Sequence, residues 1–437
     1  MNRKGIANFC QKSINFGFYS ITLFSAISIS ATQIALSIIL LSWIALMLVE
    51  KRIIFARIPL NYPFLIYFCI VIIAALLGAD FSHSAKAIHK FWIAMIFFAM
   101  LTFIEDIRMV RRLIYILLIV TSITSIYGVL QHIFPGLDIA RPEGRKVVQW
   151  TAEGGVASTG FFDHHMTFGG FLLLIFSLSF SLSLSRVQQI IKNKQFFPLH
   201  TTLPTILIFA GLISSMTRNA WMGSIFAVIF IVILKVKRKI IAFSVIGSIF
   251  LFLTAYCLLP TAYSLQSPFL NRFKSIFTIS TNIERFYIWK STIDMIIEHP
   301  LGVGMDNYSK AIKDYRGKYN HKFSAGSDAH AHNTILTQAA EHGIVGLSAF
   351  LWIWIIFFKE GVRLYLSLLH TPHSTLRTSI VLGGLGAVAG FHVAGMFENN
   401  FGDAEVATMM WFIMGLVFLM RKINPNNTDY NLKLNNL

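Results

Sequence analysis

The stretch from Asp328 to Gly346, DAHAHNTILTQAAEHGIVG, places His330, His332 and His342 just before a long apolar run. An unperturbed imidazole titrates near neutral pH, so it can take a proton from a hydroxyl and release it. A metal site, a proton-transfer site and a hydrated surface all fit these residue types. No HExxH-type spacing follows them, nor follows Asp163-His164-His165, where adjacent residues cannot share a helix face. No metal is therefore expected at either stretch.

Anion chemistry is the second possibility. Arg218, in SSMTRNAWMG, lies between two apolar runs. It either snorkels from a helix end or faces a cavity and binds an anion, because such an arginine is costly unless paired or used. Downstream lie Arg272, Lys274, Arg285, Lys290, Lys310, Lys313, Arg316, Lys318 and Lys322 against fewer acidic residues. These cations suit lipid headgroups or a phosphorylated substrate, which the planar fork of arginine grips in a bidentate way. Arg285 is the strongest of the set, since it opens an amphipathic helix. GVGMDN fits a helix C-terminal turn better than a phosphate cradle.

These residues sit in a chain of 437 residues that is 55% hydrophobic and only 13% charged, which argues for a membrane protein. Cys10, Cys69 and Cys257 are scattered and form no framework. Apolar runs near the bilayer length fall at 13–32, 33–50, 61–79, 90–104, 113–132, 166–185, 201–217, 219–234, 240–260, 340–358, 379–397 and 404–420. The first is read as a retained transmembrane helix rather than a signal peptide. With the N-terminus inside, 22 of the 37 basic residues fall in inside loops, six in short outside connections and nine in one long outer loop. The expected organisation is transmembrane helices 1–9 over residues 1–260, an outer loop region at 261–335, helices 10–12 over 336–420 and an inner tail at 421–437. A structureless loop of that size is improbable. ERFYIWKSTIDMIIEHP puts Phe286, Trp289, Ile293, Ile296 and Ile297 on one apolar face, ended by Pro300 and Gly302. A second short helix follows a cap at Asp306 or Asn307. Both would lie on the membrane surface.

His332-Asn333, nine residues, then Gly343-x-x-Gly346 resembles the signature of the O-antigen ligase superfamily. Ser-x-Thr-Arg218 resembles that family's membrane-edge arginine. Glu284-Arg285, with Trp289 and Pro300-Leu-Gly-Val-Gly304, resembles its loop arginine. The motifs cover about 215–350, and the architecture covers the whole chain. The resemblance implies an all-α polytopic membrane bundle of about twelve transmembrane helices with a helical periplasmic loop region. It implies an inner-membrane glycosyltransferase with its site facing the periplasm. The donor would be a glycan on undecaprenyl diphosphate and the acceptor the lipid A-core oligosaccharide, with no cofactor, metal or nucleic acid. His332 would deprotonate the acceptor hydroxyl. Arg218 and Arg285 would hold the diphosphate, with Asn333, Lys290 and Arg272 as further substrate contacts. Gly343 and Gly346 would permit close helix packing. Polymerases and protein O-oligosaccharyltransferases share the motif. The short extent after the last span favours a ligase over the latter. A non-catalytic transporter using Arg218 as a gate charge is the alternative of a different class.

Overall fold

The computed structural model describes residues 3–137, 149–193, 199–235, 268–279, 282–319, 329–371 and 375–423. The ninth expected span, the basic residues Arg141, Arg145 and Lys146, Lys322, Asp328 and the chain beyond 423 lie outside them. The helices are α1 (Arg3–Phe24), α2 (Ile29–Glu50), α3 (Asn61–Leu77), α4 (Phe81–Ala87), α5 (Met95–Phe103), α6 (Ile107–Ile133), α7 (His165–Asn193), α8 (Leu199–Ser214) and α9 (Arg218–Lys235). They continue with α10 (Pro268–Lys274), α11 (Ile283–Glu298), α12 (Tyr308–Ala311), α13 (Lys313–Arg316), α14 (Thr334–Leu369), α15 (Thr375–Gly395) and α16 (Ala404–Lys422). A 3-10 turn over Ile88–Ala94 joins α4 to α5. The one sheet among the described residues is a hairpin of β1 (Gln149–Trp150) and β2 (Val156–Ala157). Among the described residues, eight helical stretches are long and apolar enough to cross a membrane, and 61–77 and 201–214 are shorter apolar helices. The chain is thus an all-helical, multi-pass membrane bundle; twelve spans are more than the described residues supply.

Chain punctuation follows local chemistry. Ser28 caps α2 by accepting from the Ala31 amide, and Asp106 caps α6 by accepting from the Arg108 amide. α7, α9, α15 and α16 form the centre of the bundle, with Phe168, Phe171, Phe391 and Phe412 fully buried. Between α9 and α15 the backbones nearly touch: a Cβ on either Gly223 or Gly390 would lie 2.4 Å from the other's carbonyl oxygen. Small residues allow that approach where lipid supplies no hydrophobic drive. Leu41 and Leu48 on α2 stay exposed, as lipid-facing side chains do.

The helix ends gather on two faces. Arg3, Arg108, Arg111, Lys235, Arg363, Arg421 and Lys422 lie at the ends that form the basic face. The other face carries the starts of α7, α9, α14 and α16 and is covered by α10–α13.

The expected amphipathic helix is present as α11, but a different stripe is buried. Ile288, Ser291, Thr292 and Met295 face the protein, whereas Phe286, Ile293 and Ile297 are exposed. The long apolar side chains are left free for an apolar medium, and the smaller ones meet α14. Asn307 does not cap the next helix; its amide donates to the Asp80 and Val303 carbonyls and the Ser84 hydroxyl.

The glycine pair also acts differently from close packing. Gly343 has φ 71° and breaks α14. The Ala340 and Glu341 carbonyls so freed accept from the Val303 and Gly304 amides, and Ile344 donates to Pro300. Pro300-Leu-Gly-Val-Gly304 is therefore laid along the broken helix as a strap, with Gly302 and Gly304 at φ 89° and 92°. A Cβ on Gly343 would lie 2.4 Å from the Pro300 oxygen. The strap locks α11 to α14.

Candidate functional site

Arg218 begins α9 after a tight turn in which Met216 takes φ 52°. A non-glycine residue there is strained and needs its surroundings to hold it. The start of α7 does so. The Thr217 hydroxyl donates to the His165 carbonyl at 2.9 Å, and His165 Nδ1 lies 3.1 Å from the Ser215 oxygen. His164 stacks on His165. The Arg218 guanidinium donates through Nη1 to the carbonyl and hydroxyl of Ser275, at 3.0 and 3.1 Å. Both acceptors are neutral. No carboxylate lies within ion-pair distance of Arg218 among the described residues.

Arg272 is anchored differently. Its Nε donates to the Met216 carbonyl at 3.1 Å, and its Nη1 pairs with Glu153 at 3.0 Å. Glu153 sits between β1 and β2, and both side chains are largely buried. Arg272 thus ties the hairpin to the strained turn beside Arg218. Lys290 is exposed, with its ammonium over the Tyr319 ring, 4.5 Å from the centroid.

Arg285, on the first turn of α11, points to a carboxylate the sequence reading did not single out. Its Nη2 is 3.6 Å from Glu398 Oε2. His332 Nδ1 lies 3.1 and 3.2 Å from the two Glu398 oxygens, and His330 Nε2 is 3.4 Å from Oε1. Glu398 also accepts from the Asn399 amide and is 5% exposed. His332 itself has φ 48°. Its amide donates to His330 Nδ1, and Trp289 Nε1 on α11 donates to the Ala331 carbonyl. Asn333 is the N-cap of α14: Oδ1 accepts from Leu336, and Nδ2 donates to the Met396 carbonyl. Its side chain ties the start of α14, next to His332, to the α15–α16 connection.

The charges act on each other. Burial pushes the Glu398 carboxyl up, but the His332 hydrogen bond and the charges of His332, His330 and Arg285 bring it down to about 2. Burial lowers His330 to about 4 despite Glu398. Arg285 is lowered by burial and by Arg272, against the pull of Glu398. The charges of Arg272 and Arg285 both reach Arg218. A second carboxyl moves the other way: burial pushes Asp403 up to about 7, while the Thr167 hydroxyl, 3.0 Å away, resists.

His330, His332 and Glu398 bring ligand atoms within 4.8 Å of one another and could hold a cation. Arg285 on the same carboxylate, with Arg218 and Arg272 nearby, opposes a dication there. Together the arrangement offers a cluster of guanidinium groups and two imidazoles held by one buried carboxylate. The sequence singles out Arg218, Arg285 and His332 as candidates, and the structure adds Glu398, Asp403 and Glu153 at the same end of the bundle, which the sequence reading did not name. ENNFGDAE, wedged between two apolar spans, was the available signal, since acidic groups at a span boundary need a reason to be there.

A family model described as O-antigen ligase matches residues 203–351. That stretch contains Arg218, Arg272, Arg285, His332 and the Gly343 break, and it ends before Glu398. No curated protein matches the chain. The members of the matched family are glycosyl-transfer enzymes. Residues 203–351 of this multi-pass helical chain are thus similar to the O-antigen ligase family.

Proposed function

We propose that the protein transfers an O-antigen glycan from undecaprenyl diphosphate to the lipid A-core oligosaccharide, without a metal, at the periplasmic side of the inner membrane. The observation that carries this is Arg218: a half-buried guanidinium that hydrogen-bonds Ser275, has no carboxylate within ion-pair distance among the described residues, and feels the charges of Arg272 and Arg285. A buried cation of that kind is stabilised by an anion the protein does not itself supply. A sugar diphosphate supplies it. As the bond from the anomeric carbon to the phosphate oxygen breaks, negative charge grows on the diphosphate. Fixed guanidinium groups stabilise that charge more in the transition state than in the ground state.

The acceptor hydroxyl oxygen forms the new bond to the anomeric carbon. Its proton passes to His332, and undecaprenyl diphosphate leaves. Glu398 against Nδ1 keeps the proton of that nitrogen in place, leaving Nε2 to act as the base and stabilising the imidazolium that forms. The broken α14 and its strap hold His332 and Arg285 in register. Energy for the step is stored in the donor.

The test is reconstitution. Purified protein, lipid-linked glycan and lipid A core are incubated without ATP or added metal, and the joined product is sought. No product from active donor and acceptor preparations sinks the proposal. Deletion of the gene separates a ligase, which leaves polymerised glycan on the carrier, from a polymerase, which leaves core capped by one unit. Intact lipopolysaccharide after deletion points instead to a protein transferase.

A further inference from the structure

On the basic face, remote from the cluster above, a cavity of about 250 Å³ opens between α6, α7, α8 and α15. Arg111, Tyr115, Ser185, Thr201, Thr375 and Ser379 form its polar lining, and Ile114, Leu118, Leu182 and Leu376 its apolar wall. Two cations serve it. Arg111 lines it directly and has no carboxylate within ion-pair distance among the described residues. Lys235, the last residue of α9, is half-buried, and its ammonium donates to the Ser185 hydroxyl, which also bonds Ser379. It too has no carboxylate partner among the described residues. An ammonium carries three donors, and the serine satisfies one without neutralising the charge.

Thr375 opens α15, and Thr201 lies in the first turn of α8. Their helix N-termini add positive potential to the same space. Two other cations of this face, Arg421 and Arg363, share Glu360, at 2.7 and 2.6 Å. A basic hollow between helices with an apolar flank has the chemistry of an anionic headgroup site.

We propose that this cavity binds the phosphate of an anionic phospholipid from the adjoining leaflet, with Arg111 and Lys235 flanking the phosphate. The start of an acyl chain lies along Ile114, Leu118, Leu182 and Leu376. The site is separate from glycan transfer and does not rest on that assignment.

The experiment is lipid competition by native mass spectrometry on the full chain, using phosphatidylglycerol, phosphatidylcholine and inorganic phosphate as probes. Wild type is expected to retain phosphatidylglycerol over phosphatidylcholine. Arg111→Ala, an exposed and unpaired position, should lower that retention about fivefold, and Lys235→Ala by a similar factor. Ser379→Trp, filling the cavity with both charges kept, should remove it; retention by this variant would show that surface charge alone is responsible and overturn the site. Equal retention of the two lipids by wild type overturns the proposal. So does displacement of the lipid by millimolar phosphate, which would make the cavity a free-anion site. Elution of each variant as wild type on size exclusion shows that loss of lipid is not loss of fold.

Discussion

The two ends of the bundle treat positive charge differently. On the basic face Arg421 and Arg363 converge on Glu360, and Lys422 caps the Leu101, Thr102 and Ile104 carbonyls at 3.0–3.3 Å. Those cations are used up in closing helix ends. At the opposite end Arg218 has only Ser275, and Arg285 shares Glu398 with two histidines. The backbone there is strained at Met216 and His332, whereas the described basic-face helix ends show positive φ outside glycine only at Lys51. The contrast is one of degree, since Arg111 and Lys235 on the basic face also lack carboxylate partners among the described residues, but only the opposite end joins such a cation to a strained, well-braced backbone.

The largest effect should come from removing the unmatched groups. His332→Ala and Arg218→Ala are each expected to lower transfer by roughly 10²–10⁴-fold with the protein still folded in the membrane. Near-normal product formation by both in the reconstituted assay would erase the contrast between the two ends. Glu398→Gln should lower kcat by about 100-fold or more with little change in KM, and Glu398→Asp should recover part of it. Equal losses in kcat and in melting temperature for both variants would make Glu398 merely structural.

Matched groups should instead affect stability. Arg272→Ala leaves Glu153 buried without its partner and should destabilise by about 3–5 kcal/mol. Arg272→Met with Glu153→Leu should recover most of it, as read by thermal unfolding in detergent. Arg421→Ala, on the basic face, should lower the melting temperature while transfer stays near wild type; loss of transfer there would break the comparison.

A smaller effect is pH dependence of stability. Glu398 and His330 both have folded values below their ordinary ones, so each contributes stability that is present above its unfolded pKa and lost as pH falls towards the folded one. For His330 the loss begins near pH 6.5 and runs to about 4; for Glu398 it begins near 4.3 and runs to about 2. Melting temperature should therefore decline on acidification from about pH 6.5. His330→Asn should flatten the upper part of that decline, and an unchanged slope would remove His330 from the account.

Much of the bundle was legible because apolar run length is a local property. Within the described residues, helices stand at ten of the expected spans, whereas the first, 13–32, runs past the end of α1 at Phe24 and into α2. Arg218, Arg285 and His332 were legible for a related reason: a charge or an imidazole at the edge of an apolar run is conspicuous in one dimension. The face that α11 buries was not. Its period was read correctly, but the choice between two stripes depended on α14 and the strap, which lie beyond the window of a helix.

The sequence by itself determined a basic, multi-pass helical chain with reactive cations and an imidazole at one end of its spans, since solvation in a bilayer is decided residue by residue. Only the tertiary structure decided which cations are free. Arg272 and Arg218 look alike along the chain, yet Glu153 forms an ion pair with Arg272 and not with Arg218. Glu398 meets His332 across 66 positions, a contact made by the packing of α14 and α15. Gly343 reads as a packing glycine until the strap from Pro300 occupies the carbonyls it releases. Pairing of charge falls off within a few ångströms, so it belongs to the folded arrangement and not to spacing along the chain.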